Sequence, residues 1–147
     1  HIKKNDIPTI DEINDVLIKV LVGKVKNISS SVQTYSPVSI FDVQFSKPSL
    51  IDLNIPKNQN VMVYVIHGEL KFHADNQIAR KGQMIYFDQS TDMINLTSIS
   101  TTGSYLVLAG APLNESVVRY GPFVTNTEDD MKQVMLDYQN GKMGTLS

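Results

Sequence analysis

The sequence predicts a mainly β protein, a two-sheet sandwich or jelly-roll barrel that ends in an arm and one α-helix. Between residues 32 and 109, apolar and polar residues alternate in short runs separated by turn residues, which is typical of half-buried antiparallel strands. Roughly nine or ten such strands at regular spacing favour two facing sheets. After residue 110 this alternation stops and a helical apolar stripe follows.

The first 15 residues are predicted to be a linker segment leading into a barrel that spans residues 16–110. Pro8 biases the preceding residue towards extended backbone. Residues 16–22 could form a helix by length, but their β-branched content and the following Gly23 favour a buried strand. Residues 27–31 are predicted to form a polar loop.

The remaining barrel strands follow in order. Residues 41–45 and 51–55 place an apolar side chain at every second position, as in strands with one buried face. Residues 61–66 are almost continuously apolar, which is typical of a central strand. Further strands are predicted at 71–74, 78–80, 84–87, 94–98 and 105–109, with turns at 67–69, 75–76 and 81–82.

Residues 111–147 are predicted to form an arm and a helix, residues 127–140, that packs on the barrel. Thr127 is a suitable N-cap, three acidic residues follow it in the first turn, and Gly141 suits the position after the last turn. One apolar stripe recurs with helical spacing, and it consists of Met131, Val134, Met135 and Tyr138. Such a stripe requires a surface to cover it.

Composition excludes several classes of function. The chain has 147 residues, which suits one domain that buries about 70% of the surface of its unfolded chain. Thirteen basic and 15 acidic residues give a net charge of −2, so nothing indicates binding to nucleic acid or to an anionic membrane. The absence of cysteine excludes disulfides, thiolate metal sites and a cysteine nucleophile. With neither a long apolar run nor a signal-peptide pattern in the sequence, we expect a cytoplasmic protein.

Two groups of residues could carry chemistry by type alone. His67 and His73 flank a predicted hairpin turn with Glu69 and Asp75 nearby, but no third convergent ligand accompanies them, so solvated surface histidines are the preferred interpretation. Three carboxylates could be considered for hydrolysis, namely Asp42, Asp52 and Asp88. Each lies on the polar register of a strand or beside a turn, which favours a solvated face. We therefore predict no catalytic residue.

The C-terminal region carries a family resemblance. The ordered motifs are Leu-Ala-Gly-Ala-Pro-Leu-Asn-Glu at 108–115, Tyr-Gly-Pro-Phe-Val at 120–124 and Asp-Tyr-Gln-Asn-Gly at 137–141, supported upstream by residues 37–43 and 63–70. This pattern resembles the C-terminal cupin domain of the pirin family over residues 7–144. The resemblance implies a cupin jelly roll. Full pirins are similar to two such domains in tandem, with the metal held by the N-terminal one.

The cupin resemblance also permits a test for a metal site, because metal-binding cupins resemble one another in two histidine-containing motifs. Anchored on Gly68 and Gly82, the ligand positions of these motifs fall at Asn54 or Ile55, Pro56 or Lys57, Val61 and Met93. Iron, manganese or copper requires converging imidazole and carboxylate groups, which this set does not supply. We therefore predict a metal-free domain without a cofactor, in which Asn54, Lys57, Val61 and Met93 are degenerate ligand positions.

The arm combines a guanidinium group, two aromatic rings and a stiff Gly-Pro step, in Arg119, Tyr120, Pro122 and Phe123. Arginine and aromatic residues are enriched at interface hot spots, so these residues are interface candidates. The alternative is that the aromatic rings pack within the same domain. The two interpretations are compatible.

Three functions remain open. The preferred hypothesis is a structural interaction module that forms a homo-oligomer or pairs with a second cupin domain. The alternative, implied by the pirin resemblance, is part of a quercetin 2,3-dioxygenase whose metal lies in an N-terminal domain outside this chain, and the start at His1 fits either a tag residue or a piece of a longer protein. A weaker third hypothesis is a ligand pocket inside the barrel, lined by Phe41, Val43, Met62, Tyr64 and Met93.

Overall fold

The computed structural model describes residues 3–12, 15–72, 77–87 and 93–144, in which the chain forms two compact units that divide after Pro112. A 3-10 turn at Lys4–Asp6 precedes the strands. The elements are β1 Thr9–Glu12, β2 Val16–Val22, β3 Lys24–Val25, β4 Ile28–Ser29, β5 Val38–Phe45, β6 Ser49–Asn54, β7 Asn60–His67, β8 Glu69–Phe72, β9 Ile78–Arg80, β10 Met84–Phe87, β11 Met93–Ser98, β12 Gly103–Gly110, β13 Val118–Tyr120, β14 Phe123–Thr125 and α1 Glu128–Gln139.

Two antiparallel sheets make up the barrel of the first unit. One has six strands in the order β1-β2-β5-β12-β7-β10, and the other has four in the order β6-β11-β8-β9. Their inward side chains form one core cluster. The predicted mainly β jelly-roll architecture with a single terminal helix is thus confirmed among the described residues.

The core follows directly from the two-residue period of the strands. In β2, for example, Val16, Ile18 and Val20 are buried, whereas the residues between them are only half-buried. The same alternation runs through β5 and through β12, which pairs with β5 on one side and β7 on the other. Because side chains alternate between the two faces of a strand, every second residue of these strands enters the core.

Two details differ from the sequence-based expectation. Within the segment predicted as a linker, residues 9–12 pair with β2 as an edge strand. Part of the predicted loop at 27–31 is strand β4, which pairs with β3 in a small hairpin. This hairpin turns at Lys26, whose φ is 51°, a conformation that the sequence pattern did not signal. The strand predicted at 71–74 and the turn at 75–76 extend beyond residue 72 into residues outside the described ranges.

The chain changes sheets at Gly68, between β7 and β8. Its φ of 85° lies in the left-handed region, and a Cβ placed there would come within 2.6 Å of the carbonyl oxygen of Thr102. Glycine suits this corner for both reasons.

Tyr105 is the only fully buried tyrosine among the described residues. Its hydroxyl donates to the carbonyl oxygen of Glu69 at 2.9 Å and lies 3.0 Å from Oγ of Ser98, which must then donate to the phenol oxygen. Its ring meets Phe45 edge-on, with centroids 5.5 Å apart. Burial raises the pKa of the Tyr105 phenol, although the Ser98 hydrogen bond opposes this shift. The group therefore stays protonated and fastens β12 to the opposite sheet.

The second unit consists of the β13–β14 hairpin and α1. Thr127 is the predicted N-cap, since its hydroxyl oxygen accepts from the backbone N–H of Asp130 at 3.1 Å. Gly141 follows the helix with a φ of 67°. Within the unit, Phe123 on β14 meets Tyr138 on α1 edge-on at 5.4 Å. The predicted packing of this helix on the barrel stays a prediction.

Within the described ranges, no helix has the length and apolar character needed to cross a membrane.

Replacing Tyr105 by phenylalanine is expected to lower the free energy of unfolding by about 1–3 kcal/mol, because the Glu69 carbonyl and the buried Ser98 hydroxyl lose their shared partner. Chemical denaturation measures this change, and Tyr120→Phe, at an exposed tyrosine, is the matched control. Equal denaturation midpoints for Tyr105→Phe and Tyr120→Phe would show that the Tyr105 hydroxyl does not stabilise the fold.

Candidate functional site

The five residues predicted to line a pocket inside the barrel do not face one common interior space. Phe41 and Val43 are buried in the core, but Met62 and Tyr64 lie on the opposite, outward face of β7, and Met93 is exposed at the start of β11. The structure therefore separates the five predicted lining residues. The period-two alternation is the cause, since Met62 and Tyr64 share a register opposite to that of the inward Val61, Val63 and Val65.

The four degenerate ligand positions do not converge either. Asn54 and Met93 are cross-strand partners on the outward face of the four-stranded sheet, whereas Val61 is buried in the core. Lys57 lies in the exposed turn between β6 and β7. Among the residues that the structure describes, no group of three or more His, Asp or Glu side chains could hold a metal ion. The donors that the described residues bring together thus do not match the imidazole and carboxylate set of metal-binding cupins.

The histidines and carboxylates considered from sequence occupy unrelated places. His67 is exposed, with Nε2 3.3 Å from Oγ1 of Thr102, and Asp52 is an exposed partner of Asn95. His73, Asp75 and Asp88, like His1, lie outside the described residues.

Asp42 corrects the expectation of a solvated face. Its side chain is only 21% exposed, because β2 places Lys19 directly opposite it. Oδ2 accepts from Lys19 Nζ at 3.1 Å and from Gln44 Nε2 at 2.9 Å, while the buried Oδ1 has no hydrogen-bond partner. This ion pair is flanked by half-buried apolar side chains on the outward face of the sheet, among them Leu17 and Leu106.

A row of exposed apolar side chains, here called the outer row, lies at the β7–β10 edge of the same outward face. Met84 pairs with Tyr64, and Tyr86 pairs with Met62. Met84 and Tyr86 are 58% and 62% exposed, and Ile66 extends the row along β7. A groove of about 330 Å³ continues from Met62 towards Leu108 on the neighbouring strand β12. A contiguous apolar surface of this kind is typical of an interaction site.

The interface candidates of the arm lie on the β13–β14 hairpin. Tyr120 and Phe123 are cross-strand partners and share a face, whereas Arg119 occupies the alternate register. Gly121 and Pro122 form the turn, in which Gly121 has a φ of 55°. Phe123 is half-buried by its contact with Tyr138, but Tyr120 is 63% exposed. Phe123 is thus an anchor within the second unit, whereas the other three interface candidates stay exposed.

An open cleft of about 740 Å³, here called the end cleft, lies at the end of the barrel that carries the β3–β4 hairpin. Val38, Ile55 and Pro56 contribute apolar wall, while Lys24 and Lys26 place two cationic side chains along it. The described residues that line the cleft include no acidic side chain. Gly23 makes the close approach of the hairpin to β5 feasible, because a Cβ there would lie 2.8 Å from the carbonyl oxygen of Val38.

Gln59 is the unusual residue of the end cleft. It is 5% exposed, and its Oε1 has no hydrogen-bond partner. Its backbone N–H closes the Pro56 turn at 3.0 Å, so the turn itself does not use the side chain. A buried polar group without a partner costs about 1–3 kcal/mol, which requires an explanation.

Sequence reasoning missed both the outer row and the end cleft. The near-continuous apolar run of β7 was a signal for the outer row, because a strand with apolar side chains on both faces needs cover on both. No local pattern marked Gln59, which stands in a polar turn sequence and is nevertheless buried in the folded chain.

Comparison with known proteins relates this chain to one family. The pirin C-terminal cupin domain matches residues 40–144. Pirin-1 of Arabidopsis thaliana is 32% identical over 95% of this chain and 49% of its own length, and pirin of Mus musculus is 30% identical over 98% of this chain and 50% of its own. A crystal structure of quercetin 2,3-dioxygenase from Acinetobacter baumannii superposes with a TM-score of 0.89 at 26% identity, covering 99% of this chain and 50% of that one. The chain therefore spans about half the length of the curated relatives it matches.

The purified chain is expected to retain no stoichiometric iron, manganese, copper or zinc after dialysis, because its inward positions carry apolar side chains. Elemental analysis measures this. One retained metal per chain that is lost on replacing Asn54, Lys57 or Met93 would contradict the interpretation.

Replacing Gln59 by methionine is expected to raise the free energy of unfolding by about 1 kcal/mol, because a side chain of similar shape removes the buried amide oxygen that has no hydrogen-bond partner. Denaturant unfolding measures the change. Gln44→Met is the control with the opposite sign, since that amide donates to Asp42.

Proposed function

Because the chain belongs to the pirin family, whose C-terminal cupin domain it matches, we propose that it is a metal-free interaction module that pairs with another cupin domain. The observation that carries this proposal is the outer row on β7 and β10. Exposed methionine and tyrosine side chains on a sheet face are costly to leave in water and favourable to bury against a partner.

The length of the relatives indicates which partner to propose. They are about twice as long as this chain, so most of the length that this chain does not match is available for a second domain. A second cupin domain, either in a separate chain or as a second copy of this one, is the occupant we propose for the outer row. The exposed residues of the hairpin, Arg119, Tyr120 and Pro122, offer another candidate contact, with Phe123 fixing the hairpin to α1.

The charge of the outward face also supports a specific contact. The half-buried Lys19–Asp42 pair, with an Asp42 oxygen lacking a partner, would be further desolvated by a docked surface. A partner must then supply a hydrogen-bond donor to Asp42, and this requirement would favour a matched surface over a merely apolar one.

The second candidate is a role within a quercetin 2,3-dioxygenase, supported by the likeness to the Acinetobacter baumannii enzyme of that name. Such chemistry needs a metal to bind and activate substrate or oxygen. The described residues of this barrel offer no group of side chains that fits a metal, so we expect the chain by itself not to consume oxygen with quercetin. Metal-dependent turnover by this chain alone would favour the enzyme over the interaction module.

Self-association is the first test of the module. Light scattering over a wide concentration range is expected to report dimers, and Met84→Ser with Tyr86→Ser should weaken association about tenfold or more, or roughly 1.4 kcal/mol. Leu50→Ser is the matched control, an exposed apolar residue on the other sheet. Tyr120→Ala tests the hairpin separately.

If the chain is monomeric at every concentration, the same variants are compared for binding to a cupin domain taken from the unmatched half of a pirin relative. Unimpaired binding or unimpaired self-association of the double variant would contradict the role of the outer row.

A further inference from the structure

We propose that two copies of this chain pair through the outward face of the six-stranded sheet, related by a two-fold axis that runs along β12. The inference rests on the proposed pairing with another cupin domain. It names the second copy as the occupant of the outer row and specifies how the two sheets face each other. Its basis is the order of side chains across the face, in which one half complements the other.

Strand β12 is the centre of five strands of this face. Strands β5 and β2 follow it on one side and β7 and β10 on the other, with β1 beyond β2 at the edge. Neighbouring strands lie about 4.8 Å apart, so the five strands span about 20 Å. β12 itself is eight residues long, or about 27 Å. The face can therefore supply much of the roughly 800 Å² that a standard interface buries on each partner.

One row of cross-strand partners connects the half-buried ion pair with the outer row. From β2 to β10 it consists of Lys19, Asp42, Leu106, Tyr64 and Met84. The row is charged on the β2 and β5 side and apolar at its centre. On the β7 and β10 side it carries an exposed tyrosine and an exposed methionine.

A half-turn about β12 brings the unlike halves of this row together. It exchanges β5 with β7 and β2 with β10, so Leu106 meets Leu106 of the second copy, and Asp42 lies opposite Tyr64 of the second copy. In the next row along the strands, Ile40 then lies opposite Met62 of the second copy. This is an isologous contact, in which each copy contributes the same patch and the contact closes on itself.

Other two-fold arrangements of the same face are less favourable. An axis along the gap between β2 and β5 places Lys19 over Asp42 of the second copy, but it leaves the outer row on β7 and β10 without cover. An axis perpendicular to the strands through this row stacks lysine on lysine and aspartate on aspartate, and like charges in contact repel. The axis along β12 covers the outer row and avoids both conflicts.

The ammonium group of Lys19 supplies the polar contact between the copies. Its Nζ donates to Oδ2 of Asp42 at 3.1 Å, which holds the charge towards β5, opposite Tyr64 of the second copy. An ammonium has three donors, and the Lys19 side chain is still 27% exposed. The Tyr64 ring offers its negative π face and its hydroxyl oxygen to this cation. Exclusion of water from the interface strengthens both interactions.

Single cysteines can report the position of the axis, because the chain has none of its own. Ser104 lies on the outward face of β12, and Ser104→Cys replaces one oxygen by sulfur. We expect a short bismaleimide cross-linker to join two Ser104→Cys chains. Met84→Cys should not link to itself, because its two copies lie about 20 Å apart on either side of the axis. Leu50→Cys, on the other sheet, gives the background of random linkage. Light scattering verifies that each variant is dimeric before the reagent is added.

Mixing two variants tests the Lys19 contact. Lys19→Gln keeps a donor for Asp42 but loses the charge, and Tyr64→Leu loses the ring. Each should weaken self-association about tenfold or more, because a homodimer of either variant loses both symmetric contacts. A heterodimer of the two variants keeps one intact contact, so the equimolar mixture should associate more tightly than either variant alone. A contact within one chain would give no such recovery. Melting curves verify that both variants are folded, and the cross-linking of Ser104→Cys does not depend on them.

Three results would overturn the proposal. A chain that stays monomeric at every concentration would exclude the second copy as the occupant and leave a separate cupin chain as the partner of the interaction module. Dimers in which Ser104→Cys links no better than Leu50→Cys, or in which Met84→Cys links to itself, would refute the axis along β12 while self-association remains. A mixture that associates no more tightly than the single variants would refute the contact between Lys19 and Tyr64 of the second copy.

Discussion

The packing of strand β12 at the centre of the six-stranded sheet is the constraint on which the rest of the first unit depends. It pairs with β5 and β7 along its whole length, and its inward side chains, Tyr105, Val107 and Ala109, are all buried. The Tyr105 hydroxyl then crosses the core to Ser98 and to the backbone of β8. A fixed register in β12 therefore fixes which residues of β5 and β7 face inwards, because a shift of one residue would exchange the two faces.

A core filled in this way leaves little polar chemistry in its interior. Metal-binding cupins use inward positions for ligands, but the inward positions of the described strands carry valine, isoleucine, leucine and phenylalanine, which stabilise the sandwich. The candidate recognition features therefore lie outside this core, on an outward sheet face with exposed Tyr86 and Met84 and in a cleft at one end.

Among the described residues, two buried side-chain oxygens have no hydrogen-bond partner, Oδ1 of Asp42 and Oε1 of Gln59. The other carboxylate oxygen of Asp42 accepts from Lys19 and from Gln44 on the outward sheet face. Gln59 lies in the wall of the end cleft. Because unmade hydrogen bonds in a low-dielectric setting are costly, each of these two oxygens lowers the stability of the folded chain.

The sequence by itself indicated most strands of the barrel, part of the core and the ends of the helix. Alternation in residues 41–45 assigned Phe41, Val43 and Phe45 to one face, and Thr127 with Gly141 marked the ends of α1, because strand and helix periods and capping chemistry are local properties. Only the tertiary structure decided that Met62 and Tyr64 belong to an outer surface, that Asp42 is partly buried by Lys19, and that Gln59 is buried in a cleft wall. Burial of these residues depends on strands that are distant in sequence and adjacent in the sheets, and a period along one strand cannot specify what its neighbours cover.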